Sequence, residues 1–217
     1  MTANASPSYL ALGGDIRRSR EQDDRPALQS RLEAALARAN ADFAAALAVP
    51  LAAVQGDAFQ GLLAGPEAVV PLLVALERDL RPATFRAGLG RGALATPLRE
   101  TTATMDGPAF HRARAALDQA REQDAWLVVR GFDEASTQVI DGLAALLGAV
   151  RRDWSAARWR AVDARRGHAT AKAAAAEIGI SPSAISRALK AAHYTEVLAA
   201  ESALGELLRR ACAEAGA

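Results

Sequence analysis

The stretch YLALGGDIRRSR, residues 9–20, is an apolar run that ends at two glycines and an acid and then turns basic. Residues 9–13 have the short, apolar character of a buried strand, and Asp15 follows just beyond its end. A carboxylate in that position is typical either of turn chemistry or of a ligand site. The ligand reading requires a second acid, from later in the chain, that meets Asp15.

Beyond this stretch, apolar periodicity predicts alternating strands and helices as far as residue 132. We expect a helix over 25–47, a hairpin of Val49–Val54 with AFQGLL, a helix after Glu67, a strand in TFRAGLG, a helix from Pro108 and a strand in WLVVRG. Asp23 and Asp24 precede Pro26, a pattern that predicts a cap for the first of these helices. One hairpin among alternating elements predicts an antiparallel or mixed sheet with helices on one face. This is the ferredoxin-like or palm type of α+β fold, here expected over residues 8–132.

After residue 132 the sequence has no strand signal, and helical periods continue to the end. We expect a linking helix over 133–152 and an all-α domain over 153–217 that includes a C-terminal helix. Apolar residues in that helix lie on roughly one side, so it could pack on its own domain or pair two chains into a homodimer. These residues are Val197, Leu198, Leu204, Leu207 and Leu208.

The composition limits the class of protein. The 26 basic and 25 acidic side chains nearly balance, which argues against a general polyanion-binding protein but not against a local basic patch. Cys212 is the single cysteine of the chain, so no disulfide can form within it. The N-terminus has no secretory pattern, and the longest apolar run is far shorter than the roughly 20 residues of a membrane span. We expect a soluble cytoplasmic protein with no membrane partner.

A second acid lies at the tip of the predicted hairpin, in QGDAFQG, where Asp57 follows Gly56. In a palm sheet the first strand is central and the hairpin flanks it, so Asp15 and Asp57 are candidates for one site. Two adjacent carboxylates favour a divalent cation between them, and Mg²⁺ prefers one or two carboxylates together with the phosphates of a substrate. The alternative is a purely structural role, in which each acid caps a loop and each arginine forms an ion pair with a nearby acid at the surface. The candidate phosphate-binding residues are Gly14, Ser19, Arg20, Gly56, Arg86 and Arg114.

The stretch TAKAAAAEIGISPSAISRALKAA, residues 170–192, has the pattern of a helix-turn-helix. Ala175, Gly179 and Ile185 are the small residue, the turn glycine and the packing residue in the required order, while Thr170 and Ser181 can cap the two helices. Residues 151–190 contain nine basic residues against three acids, so we expect contact with double-stranded DNA. The alternative is a helical hairpin used for packing or for protein contact. Ser183, Ser186 and Arg187 are predicted to read bases, and Arg165, Arg166, Lys172 and Lys190 to contact phosphate.

Four ordered motifs, GDIRRSR, GDAFQGL, FRAGLGRG and DGPAFHRAR, followed by the helix-turn-helix pattern, resemble the SatD family of bacterial proteins. More distantly, the first domain resembles the catalytic domain of class III nucleotide cyclases. That resemblance implies that Asp15 and Asp57 bind metal, together with the carbonyl of Ile16. It also implies a catalytic role for Arg114, although Phe110 stands where those cyclases have an asparagine.

Three functions are compatible with these patterns. The first, which we prefer because the DNA-binding motif is complete, is a transcriptional regulator whose first domain senses a nucleotide or a related phosphorylated ligand. The second is a metal-dependent, cyclase-like enzyme of nucleotide phosphoryl transfer that its helix-turn-helix directs to DNA. The third is a non-catalytic interaction adaptor.

Overall fold

The structure, a computed structural model, describes residues 8–19 and 24–214. The chain divides into two compact units. Unit 1 takes in the described parts of Met1–Ala144 and Leu204–Ala217, and unit 2 is Ala145–Ala203. In this division the end of the C-terminal helix groups with unit 1.

Unit 1 is a mixed α+β structure built on one five-stranded sheet, in the order β2–β3–β1–β4–β5. The strands are β1 (Tyr9–Ile16), β2 (Leu47–Gln55), β3 (Ala58–Leu63), β4 (Phe85–Gly92) and β5 (Leu127–Arg130). The central strand β1 pairs antiparallel with β3 and β4, β2 pairs antiparallel with β3, and β5 runs parallel to β4. The central place of β1 explains its apolar run, since both of its faces are covered.

The first helices of unit 1 are α1 (Arg25–Asp42) and α2 (Val69–Leu80). The side chain of Asp24 accepts a hydrogen bond from the Ala27 amide, with Pro26 in the first turn, which confirms the predicted cap of α1. Helix α1 ends five residues earlier than predicted, because a short 3₁₀ turn over 44–46 leads into β2. The Asn40 side chain bonds both the amide and the carbonyl of Leu51, which ties α1 to β2.

Helix α3 (Pro108–Glu122) covers the face of the sheet opposite to α1. A Cβ atom added at Gly88 or Gly90 would lie 2.2 or 2.1 Å from backbone nitrogens of α3, so these two β4 glycines face α3 directly. Successive side chains of β1 point to opposite faces of the sheet, and Ile16 lines a cleft together with residues of α1. The prediction of helices on one face only is therefore wrong, because glycines on β4 admit a helix on the second face.

Unit 2 consists of packed helices. Helices α5 (Ala156–Gly167), α6 (Ala171–Glu177) and α7 (Pro182–Ala191) all contact one another. Thr170 and Ser181 accept hydrogen bonds from the third amide beyond them, which confirms both predicted caps. Gly179 has φ +69° in the turn between α6 and α7, a conformation that favours glycine. The buried residues of the hairpin are Ala174, Ala175, Ile185 and Leu189.

Two long helices, α4 (Glu134–Arg152) and α8 (Tyr194–Glu214), each contribute residues to both units. In α8 the side chains of Val197, Leu204 and Leu208 are at most 3% exposed. Much of the apolar stripe on this helix, for which both packing within the chain and pairing of two chains were predicted as alternatives, is therefore buried within the chain. No helix within the described part of the chain has the length and apolarity needed to cross a membrane.

Candidate ligand cleft and nucleic-acid interface

Asp15, at the end of β1, is held by an arginine that the sequence did not single out. Its Oδ2 accepts a hydrogen bond of 2.6 Å from Nε of Arg121, in the last turn of α3. The side chain is 13% exposed, and Oδ1 is buried without a hydrogen-bond partner in the described structure. Burial acts to lower the pKa of Arg121, but the hydrogen bond and the charge of Asp15 raise it above its usual value. The guanidinium therefore remains a full positive charge beside Asp15.

A wider network of arginines and aspartates surrounds this pair. Arg17 and Arg86 both donate to the Asp124 carboxylate, and Arg17 also donates to the backbone oxygen of Asp124 at 2.9 Å. Burial acts to raise the pKa of Asp124, but the hydrogen bond from Arg86 and the charge of Arg17 bring it below its usual value. Arg86, a predicted phosphate ligand, is thus engaged by a carboxylate of its own chain.

Asp57 lies at the β2–β3 turn and lines a cleft of about 250 Å³ beside α1. The cleft has an apolar floor and a polar rim. Its lining comprises Ile16, Ser19, Arg25, Pro26, Leu28, Gln29, Leu32, Gly56 and Asp57. Ser19, one of these lining residues, is only 8% exposed. A cleft that combines apolar side chains with a hydroxyl, a guanidinium and a carboxylate is suited to a small ligand that has both apolar and polar parts.

The structure does not gather Asp15 and Asp57 around one cation. They occupy neighbouring positions in the sheet, because Asp15 pairs with Ala58, the residue after Asp57. The Asp15 carboxylate, however, extends to α3, whereas Asp57 lines the cleft on the α1 side. Within the described residues, no group of three or more His, Cys, Asp or Glu side chains could hold a metal. With Arg121 supplying the positive charge at Asp15, these residues do not fit a shared Mg²⁺.

The other predicted ligand-binding residues of unit 1 lie in different parts of its structure. A Cβ at Gly14 would lie 2.3 Å from the Phe59 ring, so this glycine is required by packing rather than by a phosphate. Gly56 has φ +59°, which suits the hairpin turn. Arg114 is exposed on α3, while Phe110 lies in the core, 6% exposed. Arg20 lies outside the described residues.

In unit 2, helix α7 carries the three predicted base-reading residues and Lys190, a predicted phosphate contact. Ser183, Ser186, Arg187 and Lys190 are all exposed. Ser183 shares a hydrogen bond of 3.0 Å with Ser181, and Ser186 donates to the Pro182 carbonyl at 2.8 Å. Arg187, in contrast, has no ion pair or hydrogen bond to any described residue. Lys172, at the start of α6, is exposed as well.

Two of the predicted phosphate-binding residues bind other groups within unit 2 instead. Arg165 donates to the His168 carbonyl and lies 5.7 Å from the centre of the Tyr194 ring, close enough for a cation–π contact. Arg166 donates to Glu201, which also accepts from Arg151. Sequence reasoning missed this network, as it missed Arg17, Arg121 and Asp124, because the partners are far apart along the chain.

The sequence from residue 9 to residue 205 matches the model of the SatD family. The chain belongs to the SatD family. No curated protein matches this SatD-family chain. Among solved structures it is similar to a bacterial light-regulated adenylyl cyclase, with a TM-score of 0.43 and 14% identity over 59% of this chain. The chain spans 44% of the length of that cyclase structure.

Proposed function

We propose that this SatD-family protein is a DNA-binding regulator in which α6 and α7 form a helix-turn-helix and α7 enters the major groove. The single observation that carries the proposal is the exposed, unpaired guanidinium of Arg187 on the outward face of α7. A free arginine in this position can donate two parallel hydrogen bonds to the edge of a guanine. Lys172 and Lys190 flank it and would contact phosphates.

The other proposed phosphate contacts are weaker candidates. Arg165 and Arg166 are engaged within unit 2, so contact with DNA would require them to exchange existing partners. Ser183 and Ser186 each retain hydrogen-bonding capacity, since a hydroxyl can both donate and accept. We therefore assign sequence reading to Arg187 first and to the two serines second.

The DNA proposal is tested by replacing Arg187 with alanine. Duplexes that bind the wild-type chain are first selected from a random-sequence pool, and affinities for selected and unselected duplexes are then measured at fixed salt. Arg187→Ala is expected to weaken binding to the selected duplex by about 5- to 150-fold, the value of one bidentate base contact, with little change on unselected DNA. Lys172→Ala is expected to weaken binding to selected and unselected duplexes equally. It should also lower the number of ions released on binding, given by the slope of log affinity against log salt concentration, by about one.

Arg210→Ala is the matched control, because it removes the same charge from an exposed position in unit 1. It is expected to leave both affinities unchanged. Equal losses for Arg187→Ala on selected and unselected duplexes would refute base reading by α7. A failure to select any duplex would refute the function as a whole.

We further propose that the cleft beside α1 is the sensing site, with a nucleotide or a related phosphorylated compound as its ligand. The hydroxyl of Ser19 and the guanidinium of Arg25 both line the cleft and are suited to bind phosphate oxygens, and the apolar lining residues could support a base. Asp57 at the rim disfavours an uncompensated polyphosphate. Ligands of low charge are therefore preferred.

The cleft proposal is tested by a thermal-shift screen of nucleotides with and without Mg²⁺. At about one hundred times its dissociation constant, a true ligand should raise the melting temperature of this chain by roughly 5–10 °C. Ser19→Ala should reduce that shift, whereas Ser202→Ala, an exposed serine of α8, should not. A rise in melting temperature that requires Mg²⁺ and disappears in Asp15→Asn would instead support the predicted Mg²⁺ site shared by Asp15 and Asp57.

A further inference from the structure

The cleft beside α1 is graded in polarity from its floor to its mouth. The floor consists of side chains that are at most 6% exposed, which are Ile16, Leu28 and Leu32. Gln29 and Asp57 are half-buried, and Arg25 is exposed at the mouth. A ligand that fills the cleft therefore places an apolar part on the floor and leaves its most polar part at the mouth.

One wall of the cleft is formed by the first turns of α1. Arg25 and Gln29 lie four residues apart, so they share one face of the helix with a rise of about 6 Å between them. Nε2 of Gln29 donates to Glu33 at 3.0 Å, which leaves Oε1 as the acceptor that this side chain offers to a ligand. This wall therefore presents a cation at the mouth and, one turn deeper, a neutral hydrogen-bond acceptor.

The other wall of the cleft is the β2–β3 turn, which carries a carboxylate. The Ile16 amide donates to the Asp57 backbone oxygen at 3.2 Å, so the turn is fixed beside the floor. An ionised carboxylate accepts hydrogen bonds but donates none, and it repels an anion. Asp57 is therefore suited to a hydroxyl or N–H group of the ligand and opposes a second or third phosphate.

We propose that the ligand of this cleft is a nucleoside monophosphate that enters base first. The base lies on the apolar floor and donates an N–H to Oε1 of Gln29, a sugar hydroxyl donates to Asp57, and the single phosphate binds Arg25 at the mouth. The inference rests on the proposed sensing function of the cleft and narrows its ligand to one phosphate and a free sugar hydroxyl. The cleft volume of about 250 Å³ is slightly below the roughly 300 Å³ of the smallest typical ligand pockets, which suits a nucleoside whose phosphate remains at the mouth.

Titration calorimetry on the full chain, without added metal, tests the number of phosphates. The probes are the ribonucleoside monophosphates and the corresponding triphosphates. At least one monophosphate is expected to bind, and its triphosphate should bind roughly 10-fold more weakly, because it brings further negative charge towards Asp57. Asp57→Ala should abolish this preference. Asp42→Ala, which removes an exposed aspartate of α1 outside the cleft lining, should preserve it.

The sugar contact is tested with the dideoxy form, lacking both ribose hydroxyls, of the monophosphate that binds best. The wild type is expected to bind this form about 10-fold more weakly, because a charge-assisted hydrogen bond to the Asp57 carboxylate is lost. In Asp57→Ala the ribose and dideoxy forms should bind equally.

The phosphate contact is tested by comparing the best monophosphate with its nucleoside. A charge-assisted contact with Arg25 should give the monophosphate a roughly 10- to 100-fold advantage in the wild type. Arg25→Gln should remove that advantage. Arg31→Gln, on the same helix but outside the cleft lining, should keep it. Each comparison is a ratio of two ligands on one variant, so partial unfolding of a variant does not change it.

The outcomes distinguish the ligand class from the sensing function. If neither a monophosphate nor a triphosphate binds, the cleft is not a nucleotide sensor and both proposals are refuted. If the triphosphate binds as tightly as the monophosphate, or the dideoxy form as tightly as the ribose form, the cleft still binds nucleotides but the base-first monophosphate is wrong. An unchanged phosphate advantage in Arg25→Gln would also overturn this placement.

Discussion

Gly90→Ala is expected to destabilise unit 1 by about 3 kcal/mol, at the upper end of what overpacking costs. The added methyl group would lie 2.1 Å from the amide nitrogen of Ala113 and 2.2 Å from the carbonyl oxygen of Ala109. Both are backbone atoms of α3, so no side chain can rotate away to make room. The helix would have to move off the sheet and lose contacts with β1, β4 and β5 together.

Gly205→Ala is the control for this substitution. Gly205 lies inside α8, and a Cβ there would have no neighbour within 4 Å. The same chemical change should therefore stabilise the chain by about 0.5–1 kcal/mol, the difference in helix propensity between alanine and glycine. The measurement is thermal unfolding by calorimetry. Equal melting temperatures for Gly90→Ala and the wild type would show that α3 does not pack on β4 as closely as described.

Glu201→Ala is expected to destabilise unit 2 by about 3–5 kcal/mol. Glu201 is 8% exposed and accepts hydrogen bonds from Arg151, which is 3% exposed, and from Arg166. Removing the carboxylate leaves the Arg151 guanidinium buried without that opposite charge. The cost is large because the charge has been taken out of water and loses its compensating partner.

Glu206→Ala provides a close comparison on the same helix. Glu206 also bonds two arginines, Arg209 and Arg210, but it lies at the surface, where water screens such pairs. Its removal should hardly change the unfolding midpoint. Tryptophan fluorescence, to which the contacting pair Trp154 and Trp159 of unit 2 contributes, follows the transition in urea. If Glu201→Ala unfolds no earlier than Glu206→Ala, the buried network contributes nothing to stability.

A triple variant separates the loss of charge compensation from the loss of packing. Arg151→Met, Glu201→Leu and Arg166→Met together replace the network by apolar groups of similar volume. Buried ion pairs replaced in this way often leave stability unchanged or increased. The triple variant should therefore recover most of the stability that Glu201→Ala loses. A further decrease would mean that the three charged groups stabilise the unit by their mutual attraction.

The predictions of local structure from the sequence agree with the structure where the signal lies within a few residues. The caps at Asp24, Thr170 and Ser181 depend on a side chain and an amide three residues away, so the sequence contains both partners. The hairpin that carries Asp57 is local in the same sense. The predicted α6–turn–α7 geometry likewise rests on a glycine that adopts positive φ.

The partner of Asp15 could not be predicted in this way. Arg121 is 106 residues away along the chain, and Arg17 meets Asp124 at a separation of 107 residues. Nothing in the local pattern distinguishes Arg121 from Arg114, which lies on the same helix. Only the packing of α3 across β1 and β4 determines which of the two arginines reaches the carboxylate.

By itself, the sequence determined the strands, the helices and their caps, because hydrophobic periodicity and short-range hydrogen bonds act within a few residues. The tertiary structure decided which face of the sheet α3 covers and which arginines are engaged by carboxylates. The physical reason is that charge pairing and burial depend on distances between segments far apart in the chain. Those distances exist only once the elements have packed.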